Sequence, residues 1–438
     1  MLNNKLKCLE LLAIKLNFKS RPVASTAWLL FDRLFRMVVG LVVGVWIARY
    51  LGAKQYGILS YASSFVALFS PFASLGLDSI MIRHIVRGTL IKEEILGTAF
   101  CLKIIGAIIF IVLTISCNNI VNPNRKIGYL ITIIATASVF QAFDVIEIWF
   151  QSQYESKFSA ISKNFAILIV ALFQIILITN VASLEAFAWS RLIEYCLLSL
   201  CLITAYVMNK YSLFSWRWNY LIAKDLLKQS FPLIFSGLAI MIYVKIDQVM
   251  LGKMISESAV GVYSAATRIS EVSYFIPVTI ASSLSPSIYA AKDKSEELYY
   301  RRIGQMLRIL IFISIVIAIL ISLLSKNIIL LIFGNDYIES AKILEIHTWA
   351  LAFVSMGTAT SSWFIAEGLT HFSMLRTFAG AVSNIILNLY LIPKYAGVGA
   401  ALATVISYAF AGFIFHLAHK KMHRLFMIQL KSMTLARL

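Results

Sequence analysis

Charged side chains are scarce in this chain: Asp, Glu, Lys and Arg make up 14% of its 438 residues, whereas hydrophobic residues make up 60%. Soluble domains carry about 25% charged residues and roughly 45–50% apolar ones. With a mean hydropathy of +0.83, the sequence excludes a soluble globular protein and a disordered chain. Its 7 prolines and 20 glycines are too few for a collagen-like or linker-dominated chain.

The sequence also lacks the usual marks of metal, nucleotide and covalent chemistry. Its five cysteines, at positions 8, 101, 117, 196 and 201, form no CxxC motif, and no zinc-ligand spacing occurs. The phosphate-binding pattern G-x-x-x-x-G-K-[ST] does not occur either. We therefore expect no catalytic residues, no metal and no cofactor, and we do not expect an enzyme.

Long apolar runs are what the sequence has in abundance. About 17–25 apolar residues suffice to cross a bilayer as a helix, and a helix satisfies its backbone polar groups within one segment. We predict an all-α integral membrane protein with about 12 transmembrane helices. The predicted spans are residues 24–48, 58–80, 96–116, 128–150, 164–180, 187–208, 231–251, 260–289, 309–325, 344–366, 372–392 and 397–418.

Basic residues are distributed unequally between the two alternating sets of loops. The set that includes both termini holds 25 Lys and Arg, counting Arg376 beside the loop 367–371, and the other set holds 8. Because basic loops stay in the cytoplasm, we predict that both termini are cytoplasmic. The same bias explains most of the formal net charge of +18, so nucleic-acid binding is not expected.

The two halves of the chain share a local pattern, which indicates a duplication, although chance similarity between apolar stretches is an alternative. Leu51-Gly52 leads to Gly57-x-x-Ser60-x-Ala62, and Leu251-Gly252 leads to Gly261-x-x-Ser264-x-Ala266. An even number of spans per half makes the repeats parallel. We predict an N-terminal cytoplasmic segment 1–23, an N-lobe 24–208, a cytoplasmic linker 209–230, a C-lobe 231–418 and a cytoplasmic tail 419–438.

Charged residues inside the first span are candidates for function, because a charge at the bilayer centre costs about 2.5–3.5 kcal/mol. Asp32, Arg33 and Arg36 lie there, and Asp32 and Arg36 are four residues apart, so they can pair on one helix face. The alternative is that both arginines extend to the cytoplasmic headgroups.

The seventh and eighth spans carry polar residues at helical spacing. One face of the seventh holds Ser236, Tyr243 and Asp247, and Lys245 points nearly the opposite way. The eighth continues with Ser264, Arg268, Glu271 and Tyr274 up to Pro277, where the helix can kink. Arg268 is either an inward-facing functional cation or one half of a structural pair with Glu271.

Further polar pairs occur at helical spacing in other spans. Asp144 and Glu147 form either a proton-titrating pair or a solvated cytoplasmic end. The other two pairs are predicted to be structural: Arg191 with Glu194 as a local ion pair, and Asn384 with Asn388 as contacts between helices.

Three stretches carry a resemblance to a known family. They are residues 28–57, with Gly40, Gly44 and Leu51-Gly52; the motif Asp247-Gln248-Val249-Met250-Leu251-Gly252; and residues 384–404, beginning Asn384-Ile385-Ile386-Leu387-Asn388. They resemble the bacterial polysaccharide-transport family, the Wzx-type O-antigen flippases of the multidrug/oligosaccharidyl-lipid/polysaccharide exporter superfamily. The resemblance covers the chain from about residue 24 onward.

The resemblance implies a flippase in the bacterial inner membrane, with two six-helix lobes around a central cavity. Such a protein moves undecaprenyl-pyrophosphate-linked oligosaccharide from the cytoplasmic to the periplasmic leaflet. The implied partners are this lipid-linked glycan and the lipid bilayer, with a polysaccharide polymerase and a chain-length regulator as further candidates.

The intramembrane residues suit such a substrate. Arg268, Arg33 and Arg36 are candidates for binding the pyrophosphate, and Tyr243 and Tyr274 for packing against sugars. The remaining cavity candidates are Asp32, Lys245, Asp247 and Glu271, and the candidates for coupling to a proton or cation are Asp144, Glu147 and Asp247.

Two other functions stay open. A drug or cation antiporter of the same superfamily is expected to have a cavity rich in carboxylates. A membrane-embedded polysaccharide polymerase or ligase needs a long external loop, and no predicted external loop here exceeds about 20 residues.

Overall fold

The computed structural model describes residues 21–433, apart from Thr89 and Pro123, and within these bounds every regular element is a helix. Most of the predicted segment 1–23 and the end of the predicted tail 419–438 therefore lie outside the described residues. The predicted all-α membrane protein is confirmed.

Fifteen α-helices follow one another in the described part of the chain. They are α1 Arg21–Ser74, α2 Asp78–Arg87, α3 Lys92–Val121, α4 Arg125–Thr136, α5 Asp144–Ser152, α6 Ser156–Thr179, α7 Leu184–Met208, α8 Tyr220–Met254, α9 Glu257–Val272, α10 Phe275–Lys292, α11 Glu296–Ile332, α12 Ser340–His347, α13 Ala350–Ala366, α14 Thr370–Gly412 and α15 His423–Met433.

Eight helical segments of the described residues are long and apolar enough to cross a membrane. Two of them are interrupted, α1 at Gly52 (φ 68°, ψ 171°) and α14 at Ala396 (φ 46°, ψ −126°), so each supplies two of the predicted spans. These eight segments thus account for ten predicted spans. The other two, 260–289 and 344–366, correspond to the helix pairs α9–α10 and α12–α13.

Two of the predicted spans are less regular than the pattern suggests. Span 128–150 contains a seven-residue 3₁₀ stretch, Ala137–Phe143, immediately before Asp144, and such stretches inside a helix often mark a hinge. The eighth span breaks at Ser273 and Tyr274 rather than at Pro277. Pro277 instead lies in the first turn of α10, where no helical hydrogen bond needs its missing N–H.

The first compact unit comprises residues up to 43, 72–117 and 132–234. Its core is an apolar cluster contributed by α2, α3, α5, α7 and the start of α8, which includes Met81, Leu96, Phe150, Tyr206 and Leu226. The core of this unit is therefore built from helices that are far apart in sequence, from α2 to the start of α8.

The second compact unit comprises residues 44–71, 118–131 and 235 onward. One of its apolar clusters joins α10, α11, α13 and α15, and includes Ile303, Leu307, Met356, Trp363 and Leu425. The two units do not follow the predicted lobes 24–208 and 231–418, and those lobe boundaries remain a prediction.

The predicted linker 209–230 is anchored to the first unit. The N–H of Arg217 donates to the carbonyl oxygen of Glu93 at 3.0 Å. The backbone N–H of Asn219 donates to Thr98 Oγ1 and its Nδ2 donates to Glu94 Oε2, both at 3.0 Å. The segment therefore packs on the N-terminal end of α3 and leads directly into α8.

Arg376 corrects one detail of the charge count. The basic-residue count assigns it to a cytoplasmic loop, whereas it lies within α14 with 8% of its surface exposed. Its guanidinium donates to Thr360 Oγ1 at 2.8 Å, and to the Gly357 carbonyl and Ser361 Oγ at 3.3 Å. Uncharged oxygens of the neighbouring helix α13 therefore solvate this cation, which the loop-based count could not anticipate.

Candidate functional site

The predicted site residues fall into two groups. The first unit contains Asp32, Arg33, Arg36, Asp144 and Glu147, and the second contains Tyr243, Lys245, Asp247, Arg268, Glu271 and Tyr274.

Asp247 is the centre of a hydrogen-bonded cluster inside the second unit. Helix α8 carries it, with 3% of its surface exposed. Its Oδ1 accepts from Asn388 Nδ2 at 2.5 Å, and its Oδ2 accepts from Thr404 Oγ1 at 2.5 Å and from Tyr263 Oη at 2.8 Å. Three donors from two other helices thus hold this buried carboxylate, and a carboxylate in an apolar bundle requires such partners.

The cluster continues along α14 through a second amide. Asn388 Nδ2 also lies 3.0 Å from Asn384 Oδ1, and Asn384 Nδ2 donates to Ser407 Oγ at 3.3 Å. The predicted role of the two asparagines, contacts between helices, is therefore correct in kind. Asn388 also binds the acidic residue Asp247, a partner that helical spacing could not reveal.

Lys245 and Glu271 form an ion pair, with 3.7 Å between Lys245 Nζ and Glu271 Oε2. Their side chains are about one-third exposed, at 27% and 32%. This ion pair joins α8 to α9, and the pairing of Arg268 with Glu271 stays one of the two alternatives that the sequence leaves. Lys245 and Asp247, which are predicted to point nearly opposite ways, both contact α9, through Glu271 and Tyr263.

Arg268 extends from α9 to the helix α1. Its Nη1 donates to Tyr56 Oη at 3.2 Å. A methyl group placed on Gly44 would come within 1.9 Å of Arg268 Nη2, so the guanidinium lies directly against the backbone of α1. Only glycine at position 44 leaves room for this arrangement.

Three tyrosines lie close together near these charges. The rings of Tyr243 and Tyr408 have centroids 4.4 Å apart, and those of Tyr274 and Tyr408 are 6.5 Å apart. Among the described residues no hydrogen-bond partner is found for the buried Tyr274 hydroxyl. Tyr243 and Tyr274, the two predicted sugar-packing residues, are thus brought together by Tyr408, which the sequence analysis did not single out.

In the first unit, the predicted pair of Asp32 and Arg36 is confirmed. Arg36 Nε and Nη2 donate to the two carboxylate oxygens of Asp32 at 3.0 and 3.1 Å. Asp32 is 3% exposed, whereas the Arg36 side chain is 41% exposed. The two hydrogen bonds of Arg36 therefore hold a buried carboxylate, while part of the Arg36 side chain remains exposed.

Asp144 and Glu147 do not form an isolated acidic pair. Glu147 accepts from Lys163 on α6, and Asp144 interacts electrostatically with Lys163 and with Lys103. Lys103 in turn pairs with Asp78 at 2.8 Å. Acidic and basic side chains therefore alternate in this unit, and the two lysines are partners that helical spacing could not reveal.

A sequence model described as "polysaccharide biosynthesis protein" matches residues 46–342 of this chain. The chain is 26% identical over 219 residues to the capsular polysaccharide biosynthesis protein CapF of Staphylococcus aureus, which covers 49% of this chain and 55% of that protein. The chain thus spans about half the length of CapF. It is also 24% identical over 380 residues to the probable low-salt glycan biosynthesis flippase Agl15 of Haloferax volcanii, covering 83% of this chain and 76% of that protein.

Solved structures show the same fold. The lipid II flippase MurJ in an inward closed conformation superposes with a TM-score of 0.72 at 18% identity, covering 92% of this chain and 90% of that one. An inward-facing multidrug resistance transporter of the MATE family gives 0.71 at 16% identity, covering 89% and 95%. The protein is therefore a multi-pass membrane protein with a transporter fold, and its chain belongs to the polysaccharide biosynthesis protein family.

Proposed function

We propose that the protein is a flippase for undecaprenyl-pyrophosphate-linked oligosaccharide, the repeat unit of an O-antigen or a similar surface polysaccharide. In this proposal the substrate moves from the cytoplasmic to the periplasmic leaflet of a bacterial inner membrane by alternating access. Family membership and the flippase names of Agl15 and MurJ support a transport role rather than an enzymatic one.

The observation that carries the proposal is the group of ionic and aromatic side chains inside the helices of the second unit. Arg268, Lys245 and Glu271 remain only half-buried although their helices belong to apolar spans. Intramembrane charges that face neither lipid nor a dry core normally line a polar path. A sugar and a pyrophosphate require such a path, because each unsatisfied polar group in hydrocarbon costs several kcal/mol.

Arg268 is the proposed pyrophosphate contact in this group. Its planar guanidinium can bind two phosphate oxygens at once, which suits a diphosphate better than an ammonium does. Tyr243 and Tyr274, which both lie against Tyr408, are the proposed aromatic contacts for the sugars. In the first unit, the accessible side of Arg36, with Arg33 on the same helix, provides further cationic contacts.

Asp247 is the proposed coupling residue. Its charge is held entirely by neutral donors, so the uptake or release of one cation or proton would change the net charge of the cluster. Oxygen atoms of carboxylate, hydroxyl and amide groups are ligands that a hard monovalent cation accepts. Among the described residues, Asn388 Oδ1 has no hydrogen-bond partner and is available for that purpose. The Asp144 and Glu147 group is the second coupling candidate.

Deletion of the gene tests the function directly. We expect surface polysaccharide to disappear while lipid-linked repeat units are still made and accumulate on the cytoplasmic face. Expression of Arg268→Lys should restore part of the surface glycan, and Arg268→Ala should restore none although the protein is inserted at normal levels. If the deletion strain makes no lipid-linked units, the protein acts in their synthesis and the flippase proposal is wrong.

A drug or cation antiporter is the alternative that the MATE-like fold keeps open. The acidic residues Asp32, Asp144 and Asp247 within the spans support it, because cationic drugs require buried carboxylates. This alternative predicts that the deletion strain becomes sensitive to cationic drugs and keeps its surface polysaccharide. The flippase proposal predicts that the deletion strain keeps its drug resistance and loses its surface polysaccharide.

A further inference from the structure

The two segments that share the glycine pattern contact each other within the second unit. Gly57 lies in α1 after the break at Gly52, and Gly261 lies in the second turn of α9. Both occupy the first position of the shared pattern Gly-x-x-Ser-x-Ala. Residues 44–71 and 235 onward belong to the same compact unit, so their contact is part of one packed body.

The contact is reciprocal and involves backbone on both sides. A methyl group placed on Gly57 would lie 1.7 Å from the carbonyl oxygen of Glu257, and one placed on Gly261 would lie 1.9 Å from the carbonyl oxygen of Ala53. Glu257 and Ala53 each precede a glycine by four residues, which is one helical turn. Each glycine therefore sits against the preceding turn of the other helix, as a local two-fold axis requires.

The two helices can separate at this crossing without leaving unpaired backbone polar groups. The backbone groups on each side already take part in their own helices, so separation strands no buried donor or acceptor. Close backbone contact between small residues is held by dispersion and weak C–H···O bonds. The atoms nearest to each glycine are backbone atoms of the other helix, so no side chain stands between the two backbones at this point.

The neighbouring contacts are also separable. Tyr337 Oη donates to the carbonyl oxygen of Ala48 at 2.7 Å, and Arg268 donates to Tyr56. The helix α1 enters this unit at Gly44 and leaves it after Pro71. No loop links residues 44–71 directly to residues 235 onward, so the two segments meet only through non-covalent contacts. The loops 49–57 and 252–259 on either side of the crossing are both predicted to be periplasmic.

We propose that the crossing of Gly57 and Gly261 is the contact that closes the protein on its periplasmic side and that must separate before the substrate can leave. The proposal rests on the transport function proposed above. It gives the shared pattern Gly-x-x-Ser-x-Ala a role that substrate-binding residues do not explain: the two similar segments form the two sides of one contact.

Gly57→Ala and Gly261→Ala test the crossing in a background without the five native cysteines. A reporter cysteine, Ser264→Cys, lies one turn beyond Gly261 at a position that is 5% exposed. In intact cells we expect an impermeant thiol reagent to label the reporter about tenfold faster when either alanine is present, since a tenfold shift needs only about 1.4 kcal/mol. Gly40→Ala and Gly357→Ala are matched controls, because an added methyl group there meets no atom within 4 Å.

Equal labelling of the crossing variants and the controls, at equal protein levels, would overturn the proposal. The labelling measurement needs no glycan, so this result would not argue against the proposed flippase function. Conversely, a loss of flippase function would not change the labelling.

A covalent cross-link between the two helices is a second test, which applies if the alanine variants do not accumulate in the membrane. Ser64 donates to Gln248 in the same packed region, so a short bis-methanethiosulfonate reagent can join Ser64→Cys to Gln248→Cys through two disulfides, with release of two sulfinate groups. We expect the joined protein to lose transport and to regain it after reduction, with each single cysteine unaffected. Transport that continues in the joined protein contradicts the need for separation.

Discussion

Among single residues, Asp247 shows how a charge is accommodated within the apolar bundle, because neutral donors from α9 and α14 surround it. We expect Asp247→Asn to abolish glycan export while the protein stays in the membrane, since the amide keeps the shape and removes the charge. Asp247→Ala should also reduce the amount of protein, because each buried donor left unsatisfied costs about 1–3 kcal/mol. Surface glycan and immunoblots of membranes measure both effects.

Asp293→Asn is the control for this pair, because Asp293 is exposed at the end of α10. It should leave export and protein level unchanged. Normal export by Asp247→Asn would reduce Asp247 to a packing residue and transfer the coupling role to the Asp144 group.

The ion pair of Lys245 and Glu271 leads to a prediction about coupling between residues. In a double-mutant cycle of alanine variants, these two positions should show an interaction of about 0.5–1 kcal/mol, the range for a partly exposed pair. Arg268 and Glu271 should show an interaction near zero. Thermal unfolding of the purified protein in detergent gives both values, and a larger value for Arg268 with Glu271 would favour the structural pair of these two residues.

At the scale of helices, the break at Gly52 depends on backbone conformation alone. Its φ of 68° and ψ of 171° lie in a region that residues with a Cβ avoid, yet an added methyl group meets no atom within 4 Å. We expect Gly52→Ala to lower stability by about 1–3 kcal/mol. Gly40→Ala has equal space within a regular helix, so it should be neutral or slightly stabilising; thermal unfolding compares the two.

The start of α8 offers a second test at this scale. Asn219 Oδ1 accepts from the N–H of Leu221 at 3.0 Å, which caps the helix, while Nδ2 binds Glu94. Asn219→Ala should therefore cost about 1–2 kcal/mol and make the linker 209–219 easier to cleave with a protease added to inverted vesicles. Ser215→Ala, which removes only an exposed local bond to Ser212, should have no effect.

For the whole molecule, the sidedness of the loops is the prediction to measure. The excess of basic residues predicts that reporter fusions at Asn119, Glu257 and Asp336 are periplasmic and that those at Lys210 and Lys294 are cytoplasmic. Burial of Arg376 removes one cation from the cytoplasmic count and leaves the bias intact. A cytoplasmic result at Glu257 would contradict both the topology and the proposed periplasmic closure.

The membrane fold was predictable because lipid restricts a spanning segment to a helix, so hydropathy alone reveals most of the architecture. Local pairs were equally accessible: Asp32 with Arg36 and Arg191 with Glu194 follow from helical spacing and are confirmed. The 3₁₀ stretch Ala137–Phe143 could not be predicted from the sequence, because its residues are as apolar as those of a regular helix.

Contacts between distant helices could not be read from spacing. Asp247 meets Asn388 and Thr404 only when α8 packs on both parts of α14, which lie about 140 and 157 residues further along the chain. The family resemblance placed Asp247 and the Asn384–Asn388 pair in separate motifs, and the structure joins them. An acid and two amides in apolar spans were the available signal, but it did not identify the partners.

The burial of Arg376 has a consequence for how the protein is made. Its guanidinium is solvated by Thr360, Ser361 and the carbonyl of Gly357, all on the preceding helix α13. If α14 entered the bilayer alone, this cation would face hydrocarbon without those oxygens. Since the loop between the two helices is short, α13 and α14 should leave the translocation channel together as one helical hairpin, with the charged guanidinium already solvated by the oxygens of α13.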